Sequence, residues 1–391
     1  MTRKWGRGNF FNGVSAVDVK IKEVSTLKEL KTFINLPNIL YRNNIYRVPP
    51  LFYDEYHTLR WDKNPAFEHC EAKYWLAYNN SRVVGRIAGI KNQMHIDKWK
   101  QRYMRFGWID FIDDIQVSKA LLTTVESWAA EKGMTALHGP LGFTDLDPEG
   151  MLVEGFEELG TLATIYNYPY YESHLKKLGY KKDTDWVEYE IKVPAEPNAT
   201  IARISDIVLQ RYKLTIFNAC KKKDLLLYAN DLFQLIEESY KHLYGVVSLT
   251  QKQVDTYIKQ YFGFVKPDFV PIVLDENNHM VAFGVTMPSL SLALQKSKGR
   301  LLPYGFIHLL KALKKNDRAD LYLVAVKPEY QGKGINAILI NTMITVFNKN
   351  GIVKVESNPE LETNRLVQDQ WKYFEKRQHK RRRCFIKQLV Y

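Results

Sequence analysis

The four residues 331–334, with the sequence Gln-Gly-Lys-Gly, stand between a segment typical of a buried strand and a segment typical of a helix. The apolar run 321–326 ends just before Pro328, which has no N–H to donate to a sheet. Apolar residues then recur with helical spacing over 335–347. A helix N-terminus presents unpaired N–H groups and the positive end of the helix dipole. The segment therefore predicts a site that holds a phosphate group.

Glycine suits this site because a ligand can touch main-chain amides only where no Cβ intervenes, and because the turn needs φ above zero. Lys333 adds a positive charge beside the amides. The alternative is a strand-to-helix turn that needs only flexibility. The spacing matches neither Gly-x-x-x-x-Gly-Lys-Ser/Thr nor Gly-x-Gly-x-x-Gly with an acidic residue downstream, so the nucleoside-triphosphate and dinucleotide loops are excluded.

The segment resembles motif A of the GNAT acyltransferases, which is written Gln/Arg-x-x-Gly-x-Gly/Ala after a Val-x-Pro strand end. Val326, Pro328, Gln331 and Gly334 match, and Asn336 stands where the motif has its last small residue. In that family the loop binds the pyrophosphate of acyl-CoA, and the strand binds the pantetheine arm. The resemblance implies acetyl-CoA or a longer acyl-CoA as co-substrate, held by a set of strand and loop residues: Ala325, Val326, Gln331, Gly332, Lys333, Gly334 and Ile335.

The two halves of the chain predict the same order of elements, which indicates an internal duplication. The second half predicts a helix, a hairpin, a strand, a helix and a closing strand outside the loop region, at 224–244, 270–286, 352–356, 364–374 and 383–389. The first half predicts a hairpin, a strand, a helix, a strand, a helix and a last strand, at 74–90, 106–112, 117–132, 136–139, 167–180 and 186–191.

The first copy has Asp113 and Asp114 where the second has its glycine loop. Two carboxylates repel a diphosphate, so this copy is not expected to bind CoA. We therefore predict an α/β (α+β) fold with two tandem GNAT-like domains, each a mixed, mostly antiparallel sheet flanked by helices. The degenerate domain spans 1–196 and the domain with the acyl-CoA loop spans 197–391, with the linker near 194–197.

Composition restricts which cellular compartment and which cofactors are expected. The chain has 391 residues, enough for two domains, and three cysteines that are far apart, which indicates a reducing compartment without a disulfide framework. His69 and Cys70 lack a partner pair at zinc spacing, so no metal is expected. The sequence shows no signal peptide and no apolar stretch long enough to span a bilayer. We expect a cytoplasmic protein of undetermined oligomeric state, with peripheral contact to the inner membrane face as an option.

Two segments bear on the partners of this chain, whose net charge is +13. The basic run 376–383 suits nucleic acid, an anionic membrane surface or a solvated loop before the last strand. The insertion 290–315 has an apolar body and a basic end. It suits a membrane interface, a tunnel for an acyl chain or packing between the two halves. Nucleic acid is not the expected partner, because CoA itself is anionic.

Three carboxylates, Asp145, Asp147 and Glu149, follow a glycine-rich stretch in the first half. They predict either recognition of a cationic amine or a solvated connection. The insertion, the loop and a Tyr-rich helix at 167–180 resemble a tandem bacterial branch of the GNAT family that includes the bacterial ceramide synthases. Those ceramide synthases acylate a sphingoid amine from acyl-CoA. The resemblance implies acyl-CoA and a small or lipid-like amine as partners.

An amine attacks a thioester only when neutral, and an alkylamine with a pKa near ~10.4 is mostly protonated at neutral pH. A base must therefore take its proton. Glu356, at the end of the predicted strand 352–356, is the first candidate, and Glu360 and Glu362 are the alternatives. Each of them could instead be a solvated carboxylate or a charge at a helix N-terminus.

The family commonly offers a tyrosine to the leaving thiolate. Trp371 occupies that place here and Tyr373 follows it, which makes Tyr373 the candidate acid. The expected function is acyl-CoA-dependent N-acyl transfer to a primary amine. The alternatives are a Fem-like transferase that uses aminoacyl-tRNA to extend peptidoglycan, and a non-catalytic acyl-CoA sensor or nucleic-acid-binding module.

Overall fold

The computed structural model describes residues 19–196 and 198–390. The segment 1–18 of the predicted first domain, Pro197 of the predicted linker and Tyr391 lie outside the described residues.

The described residues contain fourteen strands: β1 Val19–Glu23, β2 Cys70–Asn79, β3 Arg82–Asn92, β4 Tyr103–Phe111, β5 Ala136–Gly139, β6 Met151–Glu154, β7 Lys181–Lys192, β8 Thr215–Phe217, β9 Ile272–Leu274, β10 Met280–Pro288, β11 Arg318–Val326, β12 Lys354–Ser357, β13 Glu360–Leu361 and β14 Lys376–Gln388.

The α-helices of the same residues are α1 Leu27–Leu40, α2 Phe52–Thr58, α3 Gln93–Trp99, α4 Ile115–Glu131, α5 Tyr170–Lys177, α6 Ala199–Arg211, α7 Lys222–Leu226, α8 Ala229–Tyr240, α9 Gln251–Tyr261, α10 Ser291–Ser297, α11 Gly305–Lys314, α12 Ile335–Lys349 and α13 Arg365–Gln368. Short 3-10 turns cover Pro65–Glu68, Pro267–Phe269, Pro328–Tyr330 and Asp369–Tyr373.

One continuous sheet joins the two halves in the order β1-β2-β3-β4-β5-β14-β7-β12-β11-β10-β9-β8, with β6 beside β14 and β13 beside β7. The pairs β4–β5 and β11–β12 are parallel, and the other pairs are antiparallel. Each half therefore builds an antiparallel ladder that ends in one parallel pair. This arrangement confirms the predicted α/β fold with mixed, mostly antiparallel sheets.

The last strand of each half pairs with the sheet of the other half. β14, at the end of the chain, runs antiparallel to β5 of the first half, with Phe385 opposite Gly139. β7, at the end of the first half, runs antiparallel to β12, with Ile191 opposite Val355. β7 and β14 also pair with each other. The exchange satisfies backbone groups that would otherwise form open edges.

The basic run 376–383 forms most of β14. Lys380 and Arg382 are each only 1% exposed. Both bind the buried carboxylate of Glu188 on β7, and Lys380 does so at 3.2 Å. This run is therefore part of a strand and not a solvated loop. Its inward-facing cations neutralise carboxylates between the two halves.

Two predicted helices are shorter than their apolar spacing indicates. The segment 224–244 divides into α7 and α8, with the break at Leu227 and Tyr228. The segment 364–374 contains only α13 and a 3-10 turn. The reason in the second case is local, because Trp371 turns toward Glu360 and donates a hydrogen bond from Nε1 to Oε1 at 2.8 Å.

The first half has no free helix N-terminus at the place that corresponds to the glycine loop. The side chain of Asp114 caps α4 by accepting from the N–H of Gln116 at 2.8 Å. Asp113 lies 3.1 Å from Nε2 of His174. The carboxylates thus satisfy the helix end themselves, which agrees with a first copy that binds no diphosphate.

Candidate active site

The turn between β11 and α12 has the geometry of an anion cradle. Gly332 and Gly334 have φ of 72° and 82°, a region that favours glycine. No hydrogen bond within the described residues is made by four N–H groups at this turn: those of Gly332, Gly334, Ile335 and Asn336. Since α12 is fifteen residues long, its dipole adds to these donors. The turn therefore fits the diphosphate of a CoA ligand.

Gly332 and Gly334 each leave room for a different group. A Cβ at Gly332 would meet no atom within 4 Å, so the space in front of it is open for a ligand. A Cβ at Gly334 would lie 3.1 Å from Val208 of α6, so this glycine also allows α6 to pack on the start of α12. The side chain of Gln331 ties the turn to the strand by donating from Nε2 to the carbonyl of Val326 at 3.0 Å.

Lys333 lies over two aromatic rings beside the cradle. Its Nζ is 5.5 Å from the ring centre of Tyr212 and 5.6 Å from that of Tyr330. It forms no ion pair with a carboxylate of the described residues. A lysine that is exposed and held on ring faces remains available to a phosphate.

β11 and β12 separate next to the cradle. Their parallel pairing runs from Arg318 opposite Lys354 to Leu321 opposite Ser357 and then stops. On its other side, β11 carries a bulge at Tyr322, because Val285 pairs with Leu323 while Thr286 pairs with Leu321. The strand beyond Tyr322 therefore presents main-chain groups to a gap that β12 does not fill.

Side chains occupy several of these main-chain groups. The hydroxyl of Tyr240 donates to the carbonyl of Val324 at 2.7 Å, and the N–H of Val324 lies 3.4 Å from the same hydroxyl. Ser239 donates to the carbonyl of Val326 at 3.1 Å. The strand edge predicted to receive a pantetheine arm is thus hydrogen-bonded by side chains of α8.

A cavity of about 510 Å³ extends from this gap into the interface between the halves. Asn336, in the first turn of α12, lies in its wall beside the cradle. The second half contributes apolar walls, among them Leu232, Phe233, Phe264, Val285, Leu339 and Met343. The first half contributes further wall residues, among them Leu51, Leu162 and Trp186. A large apolar cavity with few polar groups is typical of a ligand site.

Five carboxylic acids of the first half line the same cavity: Asp54, Glu55, Asp145, Asp147 and Glu149. None of them forms an ion pair with a cation in the described part of the chain. Burial raises the pKa of Asp54, Asp145 and Asp147 to about 6. Burial raises the pKa of Glu55 to about 7 and that of Glu149 well above its usual range. Carboxyls that lie in a cavity wall without a cationic partner favour a cationic ligand.

Glu360 lies in the cavity wall and has the properties of a general base. Burial raises its pKa to about 7, while the hydrogen bond from Trp371 limits the increase. Its Oε2 is buried and has no hydrogen-bond partner among the described residues. A carboxylate with a pKa near the operating pH is suited to taking a proton from an amine.

Glu356 is not in the cavity wall, in contrast to its expected position. Val355 and Ser357 of β12 line the cavity, and since successive strand residues point to opposite faces, Glu356 points away from it. Its carboxylate binds Nζ of Lys380, and Oε1 lies 3.5 Å from Nε2 of His379. Burial raises the pKa of Glu356 against the opposing effect of Lys380. These contacts indicate a structural ion pair.

Tyr373 and Glu362 also lie outside the cavity wall. Tyr373 is 58% exposed at the end of a 3-10 turn. Glu362 binds Arg381 and Lys182. Of the carboxylates considered as bases, Glu360 alone lies in the cavity wall.

Two clusters in the described residues bring ligand-type atoms within 4.8 Å of one another: His138, Asp183 and Cys384, and Glu188, Glu356 and His379. A proton donor of the protein stands within each. The hydroxyl of Tyr244 contacts all three members of the first, and Lys380 binds both carboxylates of the second. The expectation that the protein needs no metal stays a prediction.

Comparison with known proteins agrees with this geometry. The sequence model of the "Acetyltransferase (GNAT) family" matches residues 229–369, which include the cradle and Glu360. The matched segment 229–369 thus resembles the GNAT acetyltransferases. This match and the fold support an N-acyltransferase.

Two curated relatives align with this chain over most of its length. Protein YghO of Escherichia coli (strain K12) is 27% identical over 370 residues, which cover 92% of this chain and 93% of the relative. The bacterial ceramide synthase of Caulobacter vibrioides (strain NA1000 / CB15N) is 26% identical over 320 residues, covering 80% of this chain and 82% of the relative.

Solved structures share the fold of this chain. A tandem GNAT protein from the clavulanic acid biosynthesis pathway aligns with a TM-score of 0.54 at 12% identity, over 96% of this chain and 99% of the other. A fungal glucosamine N-acetyltransferase region aligns with a TM-score of 0.53 at 10% identity, over 96% of this chain and 38% of the other. Within residues 19–196 and 198–390, no helix combines the length and apolarity needed to cross a membrane.

Sequence reasoning missed Asp54 and Glu55 as site residues. Both belong to α2, which follows the Pro49-Pro50 pair and carries the two acids in its first turn. Adjacent acids at a helix start are normally read as favourable dipole contacts. Only the fold shows that they lie in the cavity wall with Asp145, Asp147 and Glu149.

Proposed function

We propose that the protein transfers an acyl group from acyl-CoA to the primary amine of a lipid-like molecule. The observation that supports this most strongly is the continuity of one cavity. It connects the start of α12, at Asn336, with the carboxyl cluster of the first half through walls that are mainly apolar. The diphosphate would bind at the turn before α12, and the thioester and the amine would meet in this cavity.

The residues have separable roles in this reaction. CoA supplies the acyl group as an activated thioester. The free N–H groups from Gly332 to Asn336 and the ammonium of Lys333 hold its phosphates, with Gln331 and Ile335 shaping the turn. Ala325 and Val326 belong to the strand along which the pantetheine arm lies.

The carboxyl cluster attracts the acceptor as an ammonium ion, and Glu360 takes its proton so that the nitrogen lone pair can attack the thioester carbon. The new C–N bond forms as the C–S bond breaks, the second proton of the nitrogen passes to the departing sulfur, and CoA leaves as its thiol. A main-chain N–H of β11 near Val326 would meet the developing oxyanion. Tyr373 lies outside the cavity wall and is 58% exposed, so positioning of the thioester supplies much of the rate enhancement.

The acceptor class follows from the walls. Apolar side chains from both halves surround a volume of about 510 Å³, which exceeds what a small polar amine needs. A sphingoid-type amine, with one ammonium group and a long apolar chain, matches the carboxyl cluster and the apolar walls. Such an acceptor resides in a membrane, so peripheral contact of the enzyme with the cytoplasmic face of a membrane is part of this proposal.

We retain the division into residues 1–196 and 197–391 as a proposal about two ancestral units. The first unit supplies the acceptor side of the cavity, and the second supplies the CoA side. The alternative use of aminoacyl-tRNA has less support, because the N–H groups of the cradle are available to a diphosphate.

The test measures binding and turnover separately. Thermal unfolding is followed with CoA and with acyl-CoA of increasing chain length, and a ligand at about 100 times its Kd stabilises by about 2.7 kcal/mol. Thiol release from acyl-CoA is then followed with long-chain amines and with glucosamine as a polar comparison. Stabilisation by CoA with thiol release only for long-chain amines supports the proposal. Absence of any CoA effect refutes it.

A further inference from the structure

An apolar surface lies on the outside of the α10–α11 insertion. Leu302 is 78% exposed, Tyr304 71% and Leu310 60%. Leu292 and Phe306 are exposed beside them. We call these five residues the outer apolar face. Exposed large apolar side chains that cluster in this way mark an interaction surface.

The outer apolar face is not needed to hold the insertion in place. The opposite side of the insertion packs through Leu290, Leu294 and Leu309 against Val48 and Leu51 of the first half. Arg300 adds a hydrogen bond to Asn35 at 3.1 Å and lies over the ring of Phe52. Packing between the halves therefore uses one side of the insertion and leaves the other side without a partner in the described residues.

Cations surround the outer apolar face. The exposed lysines of the insertion are Lys296, Lys298, Lys311, Lys314 and Lys315. None of these five forms an ion pair with a carboxylate of the described residues. The sequence contains no Asp or Glu from 277 to 316. The insertion therefore contributes lysines to this surface and no carboxylate of its own.

We propose that the α10–α11 insertion docks the protein on an anionic lipid bilayer. Apolar side chains flanked by lysines suit the boundary between acyl chains and phosphate headgroups, where both kinds of group are satisfied at once. Nucleic acid would match the lysines and leave the leucines in water. A second copy of the same surface would bring like charges together. The bilayer is the partner whose chemistry complements both features.

The position of the insertion gives this docking a role. Met287 and Leu290, at the start of the insertion, line the cavity, and Leu290 belongs to the same packed cluster as Leu309. The surface that contacts lipid is thus one layer of side chains away from the cavity wall. An amphiphilic acceptor would pass from the bilayer to the carboxyl cluster without crossing bulk water.

Vesicle sedimentation without any substrate tests the docking. The full chain is mixed with vesicles of phosphatidylcholine alone or with about one third phosphatidylglycerol. We expect sedimentation with the anionic vesicles, a loss of it at high salt as charges are screened, and little binding to phosphatidylcholine. Equal binding to both vesicles, or binding to neither, would overturn the proposal.

Variants identify the surface. The double variant Leu302→Asp/Leu310→Asp and the triple variant Lys311→Glu/Lys314→Glu/Lys315→Glu are each expected to weaken vesicle binding at least about tenfold. Val390→Asp, near Thr135 of the first half, and Lys63→Glu/Lys119→Glu/Lys177→Glu carry matched changes at other exposed positions and should bind as the parent chain does. Equal loss in the control variants would remove the assignment to this insertion.

Thermal stabilisation by CoA is measured on the same variants. All of them should keep it, because the cradle is on α12. The docking and the acyl transfer can therefore fail independently. A lower apparent mass of the Leu302→Asp/Leu310→Asp variant in solution, with unchanged vesicle binding, would mean that the face joins two copies of the chain and would overturn the docking.

Discussion

Trp371 donates a hydrogen bond from Nε1 to Oε1 of Glu360 at 2.8 Å and leaves the second oxygen of that carboxylate without a partner in the described residues. The indole orients the carboxylate, and the free oxygen retains the capacity to accept a proton. Four residues earlier, Glu356 has the opposite character, because Lys380 already binds it. The two glutamates can therefore be distinguished by experiment.

We predict that Glu360→Gln lowers kcat by about 10²–10⁴ while CoA still stabilises the protein. A base acts only when ionised, and burial raises the pKa of Glu360 to about 7. Activity of the parent chain should therefore fall as the pH drops below about 7. The variant should lose this limb of the pH–rate profile, which is measured by thiol release. An unchanged profile would exclude Glu360 as the base.

Glu356→Gln and Tyr373→Phe are the matched comparisons. Burial raises the pKa of Glu356, and Lys380 keeps Glu188 as a partner at 3.2 Å when the Glu356 charge is lost, so we expect the free energy of unfolding to fall by no more than about 1 kcal/mol. The residual kcat of the folded variant should stay near that of the parent. Tyr373→Phe should change neither quantity, because this ring is 58% exposed. A loss of kcat in Glu356→Gln without loss of stability would restore Glu356 as the base.

Lys333→Glu tests the anion cradle without disturbing its backbone. The change places a negative charge beside the expected diphosphate, and we predict a Kd for CoA that is about tenfold higher, equivalent to about 1.4 kcal/mol. Titration calorimetry measures the Kd, and Lys177→Glu, at an exposed position of α5, controls for net charge. Gly334→Glu is a poorer test, since its Cβ would lie 3.1 Å from Val208 and the fold itself would suffer.

Asp145→Asn should stabilise the protein at high pH. Burial raises the pKa of Asp145 to about 6 in the folded protein, whereas an unfolded aspartic acid has a pKa of about 3.9. The folded state therefore binds the proton more tightly, and the stability of the parent chain rises as the pH falls from above 6 towards 4. The asparagine variant lacks this dependence.

We expect Asp145→Asn to gain about 1–3 kcal/mol at pH 8, and we expect the gain to shrink as the pH falls through 6. Denaturant unfolding at several pH values measures this gain. Asp206→Asn, at an exposed position of α6, should show no such trend. The affinity of Asp145→Asn for an amine acceptor should fall at the same time. A pH-independent difference between Asp145→Asn and the parent would argue against a buried, unpaired carboxyl at this position.

The exchange of β7 and β14 predicts that neither half folds alone. Residues 1–196 would expose the edges of β5 and β7, and residues 197–391 would expose β12 and leave β14 without a partner strand. We expect each fragment to aggregate when expressed separately and the two to assemble when expressed together. Circular dichroism and thermal unfolding check this. Cooperative unfolding of one isolated fragment would contradict it.

The cradle could be predicted from the sequence because its signals are local. A strand, a proline, two glycines and a helix follow one another within one segment, and backbone sterics give each of them its meaning. The structure shows φ of 72° and 82° at Gly332 and Gly334, as a left-handed turn requires. The hairpins and the strand Ala136–Gly139 were predictable for the same reason.

The base could not be chosen from the sequence because facing depends on register. Glu356 lies in β12 and Glu360 begins β13, and only the pairing of these strands with β7 and β11 decides which side each acid faces. The burial of Lys380 and Arg382 was hidden for a similar reason, since their partner Glu188 is 192 residues away from Lys380 along the chain. Contacts of this range leave no periodic trace.

The crossed strands β7 and β14 also bear on why a copy with no phosphate site persists. A deletion that removed the first half would remove β7, which is the neighbour of β12. It would also leave β14 without its two partner strands, β5 and β7. The remaining half would aggregate through its open strand edges, although its cradle residues were unchanged. The half that carries the cradle can therefore be inherited only together with the half that lacks it.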